Sequence, residues 1–230
     1  MANLGILLLV LAGTSPGAAD TTLLPDLPLV EARAPKPGAT LAVLLSGDGD
    51  WAGFDKGLAA ELNARGIPVV GLKSRSWLRA RPRKDPEIAG RDLGRILAAY
   101  LPAWRADSVL LIGYSRGANL SPFMLTRLAP ELRGRVALLA LLSPTSALNF
   151  TFHEVDLISF RHRPDDVEVL PELRKLTGVR MLCVYGTRDT ESLCPHADAV
   201  PMKIFALDQG HRMTSADEVA RLILGARVPP

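Results

Sequence analysis

The 230-residue chain contains no internal repeat and no low-complexity tract, which excludes a repeat solenoid or a compositionally biased array. Beyond the first residues, no apolar run approaches the roughly 20 residues needed to cross a bilayer. The chain is too short for two ordinary domains, yet its 48% hydrophobic and 22% charged content supports one well-buried core. Aromatic residues are scarce, at 5%. The one basic cluster is short and holds a single aromatic, Trp77, so nucleic-acid binding finds little support and no nucleic-acid partner is expected. There are only two cysteines and four histidines, which keeps the search for reactive groups short.

The most informative stretch is Val109-Leu110-Leu111-Ile112-Gly113-Tyr114-Ser115-Arg116-Gly117. Four apolar residues run into G-x-S-x-G, and a helix from Ala118 to Leu128 follows. Strand, tight turn and helix form the context in which such a serine is forced out at the top of a sheet. Glycine is required on both sides because side chains there would collide with the flanking elements. Ser115 is therefore the expected nucleophile.

A serine hydroxyl needs a base, and the base needs an orienting carboxylate, in the chain order Ser, acid, His. The apolar strand Val179 to Tyr185 is followed by Gly186-Thr187-Arg188-Asp189, and the strand Met202 to Leu207 by Asp208-Gln209-Gly210-His211. Asp189 and His211 thus fall on the same sheet edge as Ser115. Glu191 competes for the acid position, and Asp208 is a weaker competitor. His153 and His162 are out of order, and His196 lies just past the acid. The oxyanion hole needs two backbone N–H groups. Arg116 supplies one. Asp48, with Gly49 as the alternative, supplies the other from Ser46-Gly47-Asp48-Gly49-Asp50-Trp51, the loop after the strand Leu41 to Leu45. This chemistry requires neither metal nor cofactor.

The loop Ser46 to Trp51 with Asp55, the elbow Gly113 to Asn119, and the run from Cys183-Val184-Tyr185-Gly186 to Ser192-Leu193-Cys194 resemble the VirJ/AcvB group of bacterial periplasmic proteins, over roughly residues 38–226. The chain departs from the usual pattern at Asp50, Arg116 and Gly210-His211-Arg212. It is too short for the two-domain AcvB form and resembles the single-domain VirJ form. The resemblance implies hydrolysis of aminoacyl-phosphatidylglycerol, such as lysyl-phosphatidylglycerol, by a serine-dependent carboxylic ester hydrolase. For some members it also implies an association with type IV secretion and virulence, hence secretion-system proteins as partners. A general carboxylesterase and a non-catalytic adaptor are the alternatives.

Strands alternating with helices predict an α/β-hydrolase: a mostly parallel sheet with helices on both faces. The expected helices are Ala52 to Arg65 with Gly66 as a left-handed stop, Asp85 to about Ala103 with Asp85 as N-cap, Leu170 to Thr177, and Ala216 to Leu224. Residues 38–230 form the expected domain. Residues 145–168 break the alternation and read as a small cap over the site. Residues 20–37 are Pro-rich, with Leu29 to Ala32 a candidate edge strand. Leu4 to Ala12 is a short apolar run followed by small residues, read as a signal peptide over 1–19 cleaved after Ala19, which predicts a periplasmic location. An uncleaved anchor is the alternative. Export lets Cys183 and Cys194 close a disulfide around Asp189; one buried and one exposed thiol is the other reading.

Charge completes the sequence picture. Lys73, Arg75, Arg79, Arg81, Arg83 and Lys84 crowd into twelve residues of a chain whose formal net charge is +3. The stretch reads as a loop on the catalytic edge, and Arg75 and Arg79 are expected to hold a lipid phosphate at an anionic membrane surface. Trp77 and Leu78 are expected to dip into that surface. The α-ammonium of an aminoacyl group calls for an anionic partner, and Asp48, Asp50 and Asp55 are the candidates. Trp51 of the same motif is grouped with them in the substrate site.

Overall fold

The computed structural model describes residues 22–80, 83–154 and 163–227. The expected signal peptide, Arg81, Phe160 and His162 lie outside the described residues.

In chain order, the elements are β1 (Leu29–Ala32), β2 (Thr40–Leu45), α1 (Gly53–Ala64), β3 (Val69–Leu72), α2 (Ser74–Arg79), α3 (Pro86–Ala103), β4 (Ser108–Tyr114), α4 (Arg116–Thr126) and α5 (Pro130–Arg133). They continue as β5 (Val136–Leu142), β6 (Ala147–Leu148), β7 (Val167–Glu168), α6 (Val169–Leu173), β8 (Met181–Gly186), β9 (Lys203–Leu207) and α7 (Ala216–Arg227). The main sheet has the order β1-β3-β2-β4-β5-β8-β9. Only β1 runs antiparallel, against β3. The candidate edge strand in the Pro-rich segment is therefore part of this sheet.

Side chains alternate across a strand, so each central strand feeds two cores. Leu41, Val43, Leu45, Val109 and Leu111 pack with Leu93, Ile96 and Leu97 of α3 and Phe123 and Met124 of α4. Ala42, Leu44, Leu110 and Ile112 pack on the opposite face with Leu58 and Leu62 of α1 and Val219 and Ile223 of α7. Burial on both faces explains why these strands are continuous apolar runs. Local signals end the helices where expected. Asp85 accepts from the Ile88 N–H at 2.7 Å, and Gly66 adopts φ 77° after α1. A Cβ there would come within 3.0 Å of the Lys36 carbonyl.

Three expectations need correction. The basic stretch is not simply a loop, because Ser74–Arg79 forms α2. Trp77 and Leu78 face inward: both are buried, and the Trp77 indole donates to Asp92 Oδ2 at 2.9 Å. The short apolar content of α2 was hidden in sequence by the cations around it. The helix expected over Leu170 to Thr177 is displaced to Val169–Leu173. Within residues 145–168, expected as a cap, β6 and β7 pair antiparallel, and Phe150 meets Phe123 edge-on at 5.5 Å. Among the described residues, no helix is long and apolar enough to cross a membrane.

Candidate active site

β4 delivers its last residue into a turn that only glycine permits. A Cβ on Gly113 would stand 2.3 Å from the Gly117 carbonyl, and one on Gly117 would stand 2.2 Å from the Leu45 carbonyl. Between them Ser115 takes φ 51° and ψ −115°, a conformation that costs a non-glycine residue about 1–3 kcal/mol. The surrounding structure holds it there: the Ser115 N–H donates to the Leu142 carbonyl at 2.8 Å, and its carbonyl accepts from Ala118 and Asn119. Asn119 in turn accepts from the Thr145 N–H and donates to the Ala147 carbonyl, tying the elbow helix to the start of the segment expected as a cap.

β8 and β9 bring up the other two groups. Gly186 ends β8 with no room for a side chain, because a Cβ would lie 2.3 Å from the Gln209 carbonyl. The acid loop and the histidine loop are thereby pressed together. Cys183 and Cys194 form a disulfide with Cα atoms 5.8 Å apart, so the loop bearing Asp189 is stapled to its own strand. Ser115 Oγ lies 2.8 Å from His211 Nε2, and His211 Nδ1 lies 2.9 Å from Asp189 Oδ2. Asp189 is almost wholly buried, whereas His211 is 38% exposed and can reach a ligand. With the Nδ1 proton held by Asp189, Nε2 is left to accept from the serine. Glu191 turns out to serve differently: its backbone N–H donates to Asp189 Oδ1 at 3.3 Å while its side chain stays exposed. Asp208 pairs with Arg188, away from the histidine. His196 sits exposed in the 3-10 turn Cys194–His196, and His153 lies in the segment expected as a cap.

The loop after β2 carries the remaining candidates. Asp48 and Arg116, expected to donate backbone N–H groups, are joined through their side chains. The Asp48 carboxylate accepts from Arg116 Nε, and from Nη2 at 3.2 Å. Neither N–H donates to a protein acceptor among the described residues. A cavity of about 610 Å³ is lined by Ser115, Asp189, His211, Asp48, Arg116, Asp55, Glu191 and Arg212.

Four expected substrate contacts do not line it. Asp50 instead binds the start of α2: it accepts from the Ser76 N–H at 3.1 Å, the Ser76 hydroxyl at 2.7 Å and Arg75 Nε at 3.3 Å. Trp51 packs on β3, where its ring lies 2.2 Å from the position a Gly71 Cβ would take. Arg75 is spent on Asp50, and Arg79 pairs with Glu154 at 2.8 Å and lies over Phe152. Short-range motif membership could not separate a residue that touches the cavity from one that anchors the loop.

Sequence reasoning missed Tyr114. It reads as the variable position of G-x-S-x-G, yet its hydroxyl accepts from the Met213 N–H at 3.3 Å and donates to the His211 carbonyl at 3.5 Å. Phe54 covers its ring at 4.8 Å. Burial pushes the phenol above its usual range, so it stays a neutral donor. Gln209 closes the same loop, accepting from the N–H and hydroxyl of Thr214. These groups hold the base in register with the nucleophile.

A family model for the bacterial virulence protein VirJ matches residues 39–226. The chain belongs to the VirJ family. The match spans β2 to nearly the end of α7, so both the sheet and the site fall within it. No curated protein matches the chain by sequence. Its fold resembles that of an alpha-beta serine hydrolase homologue from Coxiella burnetii, with TM-score 0.59 and 16% identity over 86% of this chain and 89% of that one. It also resembles Est1E from Butyrivibrio proteoclasticus, with TM-score 0.60 and 13% identity over 85% and 89%. A proline iminopeptidase from Mycobacterium smegmatis gives TM-score 0.58 and 12% identity over 86% and 94%. At these identities the likeness establishes the α/β-hydrolase fold, and this VirJ-family chain is built on it.

Proposed function

We propose that this VirJ-family chain is a serine ester hydrolase that cleaves aminoacyl-phosphatidylglycerol at the periplasmic membrane surface. The observation that carries the reading is the continuous chain of contacts from Ser115 through His211 to Asp189, at a strained elbow opening on a cavity. Family membership and the expected signal peptide support the substrate and the location.

In this reading Ser115 Oγ attacks the ester carbonyl carbon while His211 Nε2 takes its proton. The carbonyl oxygen becomes an oxyanion and is held by the N–H groups of Asp48 and Arg116. Their side-chain ion pair keeps the two donors at a fixed spacing. Asp189 holds the imidazole in the required tautomer and stabilises its cation. As the tetrahedral species collapses, the glycerol oxygen leaves with the proton from His211, and the acyl group stays on Ser115. A water deprotonated by His211 then attacks the acyl-serine, releasing the amino acid and restoring the serine hydroxyl. Arg212 lines the cavity with no carboxylate partner among the described residues, and it takes the lipid phosphate that Arg75 and Arg79, already paired, do not.

The test is incubation of wild type and Ser115→Ala with vesicles carrying lysyl- or alanyl-phosphatidylglycerol, and with plain acyl esters. Release of amino acid by wild type alone is expected. Turnover of plain esters without aminoacyl lipid would favour a general carboxylesterase. Failure of a fluorophosphonate to label Ser115, with no turnover, would favour a non-catalytic adaptor for secretion substrates.

A further inference from the structure

Among the described residues, the cavity contains one buried carboxylate that the catalytic chain does not use and that no cation neutralises. Asp48 is paired with Arg116, and Asp189 with His211. Glu191 and Arg212 are exposed at the mouth. Asp55 lines the same cavity but is only 2% exposed. Its Oδ2 accepts from the Ala52 N–H at 3.3 Å, closing the first turn of α1. Its Oδ1 is buried with no hydrogen-bond partner among the described residues. A helix cap needs one oxygen, and a buried carboxylate oxygen left without a donor is costly. The second oxygen is thus the part of Asp55 that the fold does not explain.

We propose that Asp55 is the specificity residue of this site and accepts the α-ammonium group of the acyl portion of the substrate. The proposal rests on the reading of the site as an aminoacyl ester hydrolase. An α-ammonium stands one carbon from the carbonyl that Ser115 attacks, so its partner must lie in the wall beside the oxyanion loop. Asp55 follows that loop directly, three residues after Ala52. Of the acids considered from the sequence, Asp48 has its carboxylate filled by Arg116 and Asp50 faces α2, which leaves Asp55. Asp50 in the same loop repels it and Tyr114 stands near it at the end of β4, while Arg116, His211 and Arg212 line the same cavity. Among the described residues none of these forms an ion pair with it. Burial, with added repulsion from Asp50, raises its carboxyl from 3.8 to about 6 against the pull of backbone N–H groups. A bound ammonium would supply the missing donor and the missing countercharge together.

The test compares two esters of one shape, alanine methyl ester and methyl isobutyrate, in which a methyl replaces the ammonium. The proteins are the full chain and Asp55→Asn, whose amide oxygen can still cap Ala52. For wild type the preference for the alanine ester should rise between pH 5 and pH 7, as Asp55 ionises while the ammonium stays charged. In Asp55→Asn the kcat/KM for the alanine ester should fall about ten- to a hundredfold, mainly through KM. The isobutyrate ester should lose far less, and the pH dependence of the preference should flatten. Equal losses on both esters, with the preference intact, would overturn the proposal and make Asp55 a structural cap. If wild type cleaves neither ester nor any aminoacyl lipid, the hydrolase reading fails instead. Binding then decides Asp55 separately, by NMR titration of alaninamide and isobutyramide into Ser115→Ala with and without Asp55→Asn. Tighter binding of alaninamide that Asp55→Asn abolishes supports the assignment, and indifference to the substitution overturns it.

Discussion

The basic stretch 73–84 and the acidic loop 46–55 follow neighbouring strands, β3 and β2, to the same sheet edge, but the fold disposes of their charges in opposite ways. In the basic stretch four cations are engaged: Arg75 by Asp50, Arg79 by Glu154 and Arg83 by Asp165, with Lys84 over the Trp77 ring. In the acidic loop one carboxylate, Asp55, is carried into the cavity wall with an oxygen unpaired. Density of like charge along the chain therefore does not show how much of it reaches the cavity: none of these four cations lines it. What marks a functional charge is the absence of a partner after folding, not the density of like charges along the chain.

The largest effects should come from the groups that share one proton. Ser115→Ala and His211→Ala should each reduce turnover by about 10⁴-fold or more, since members of such a unit fail together. Asp189→Asn should cost a similar order by leaving the imidazole in the wrong tautomer. Glu191→Gln should change turnover by no more than a few-fold, because its backbone alone serves Asp189. Steady-state rates on one ester decide this, and a larger loss from Glu191→Gln than from Asp189→Asn would reverse the assignment of the acid.

The comparison is sharpened by stability. Asp55 has a carboxyl raised from 3.8 to about 6. Between these values the folded protein binds a proton that the unfolded chain has released. Its contribution is fully present below about pH 3.8 and is lost as pH rises through about 6. Two units correspond to roughly 3 kcal/mol as an upper figure. Asp55→Asn should therefore melt higher than wild type at pH 8, and the gain should vanish near pH 4. A residue that weakens the fold where it is charged, in the same cavity as Ser115, is the pattern expected of a site kept for function.

Reducing the Cys183–Cys194 bridge should lower stability by about 2–3 kcal/mol, in a chain-entropy account of a loop of this length. Activity should fall with it, because the bridge restrains the loop carrying Asp189. Melting curves and rates with and without reductant test both. The smallest effect belongs to the basic stretch. Arg79→Ala removes a partly exposed pair and should shift stability by less than about 1 kcal/mol. It should leave the salt dependence of turnover on anionic vesicles almost unaltered, whereas Arg212→Ala should weaken it. The opposite ranking would return the phosphate site to α2.

Much of this molecule could be read from one dimension. The central strands declared themselves because burial on both faces demands unbroken apolar runs. Ser115, Asp189 and His211 followed because each lies just beyond such a run, and parallel strands put those ends together. Gly66 and Asp85 marked their helix ends through local backbone chemistry alone. The disulfide was legible as a pairing because only two cysteines exist, once export was inferred. Other assignments depended on direction in space. Asp48, Asp50, Trp51 and Asp55 lie within eight residues, and a turn with Asp50 at φ 52° sends them to different neighbours. Asp48 meets Arg116, Asp50 meets α2, Trp51 meets Gly71 and Asp55 meets the cavity. Tyr114 gained its role from a loop ninety-nine residues further on. Periodicity and turn chemistry are local, so the sequence by itself determined the strands, their order and the placing of Ser115, Asp189 and His211 at one sheet edge. Which charges remain unpaired depends on partners distant in the chain, and only the tertiary structure decided that.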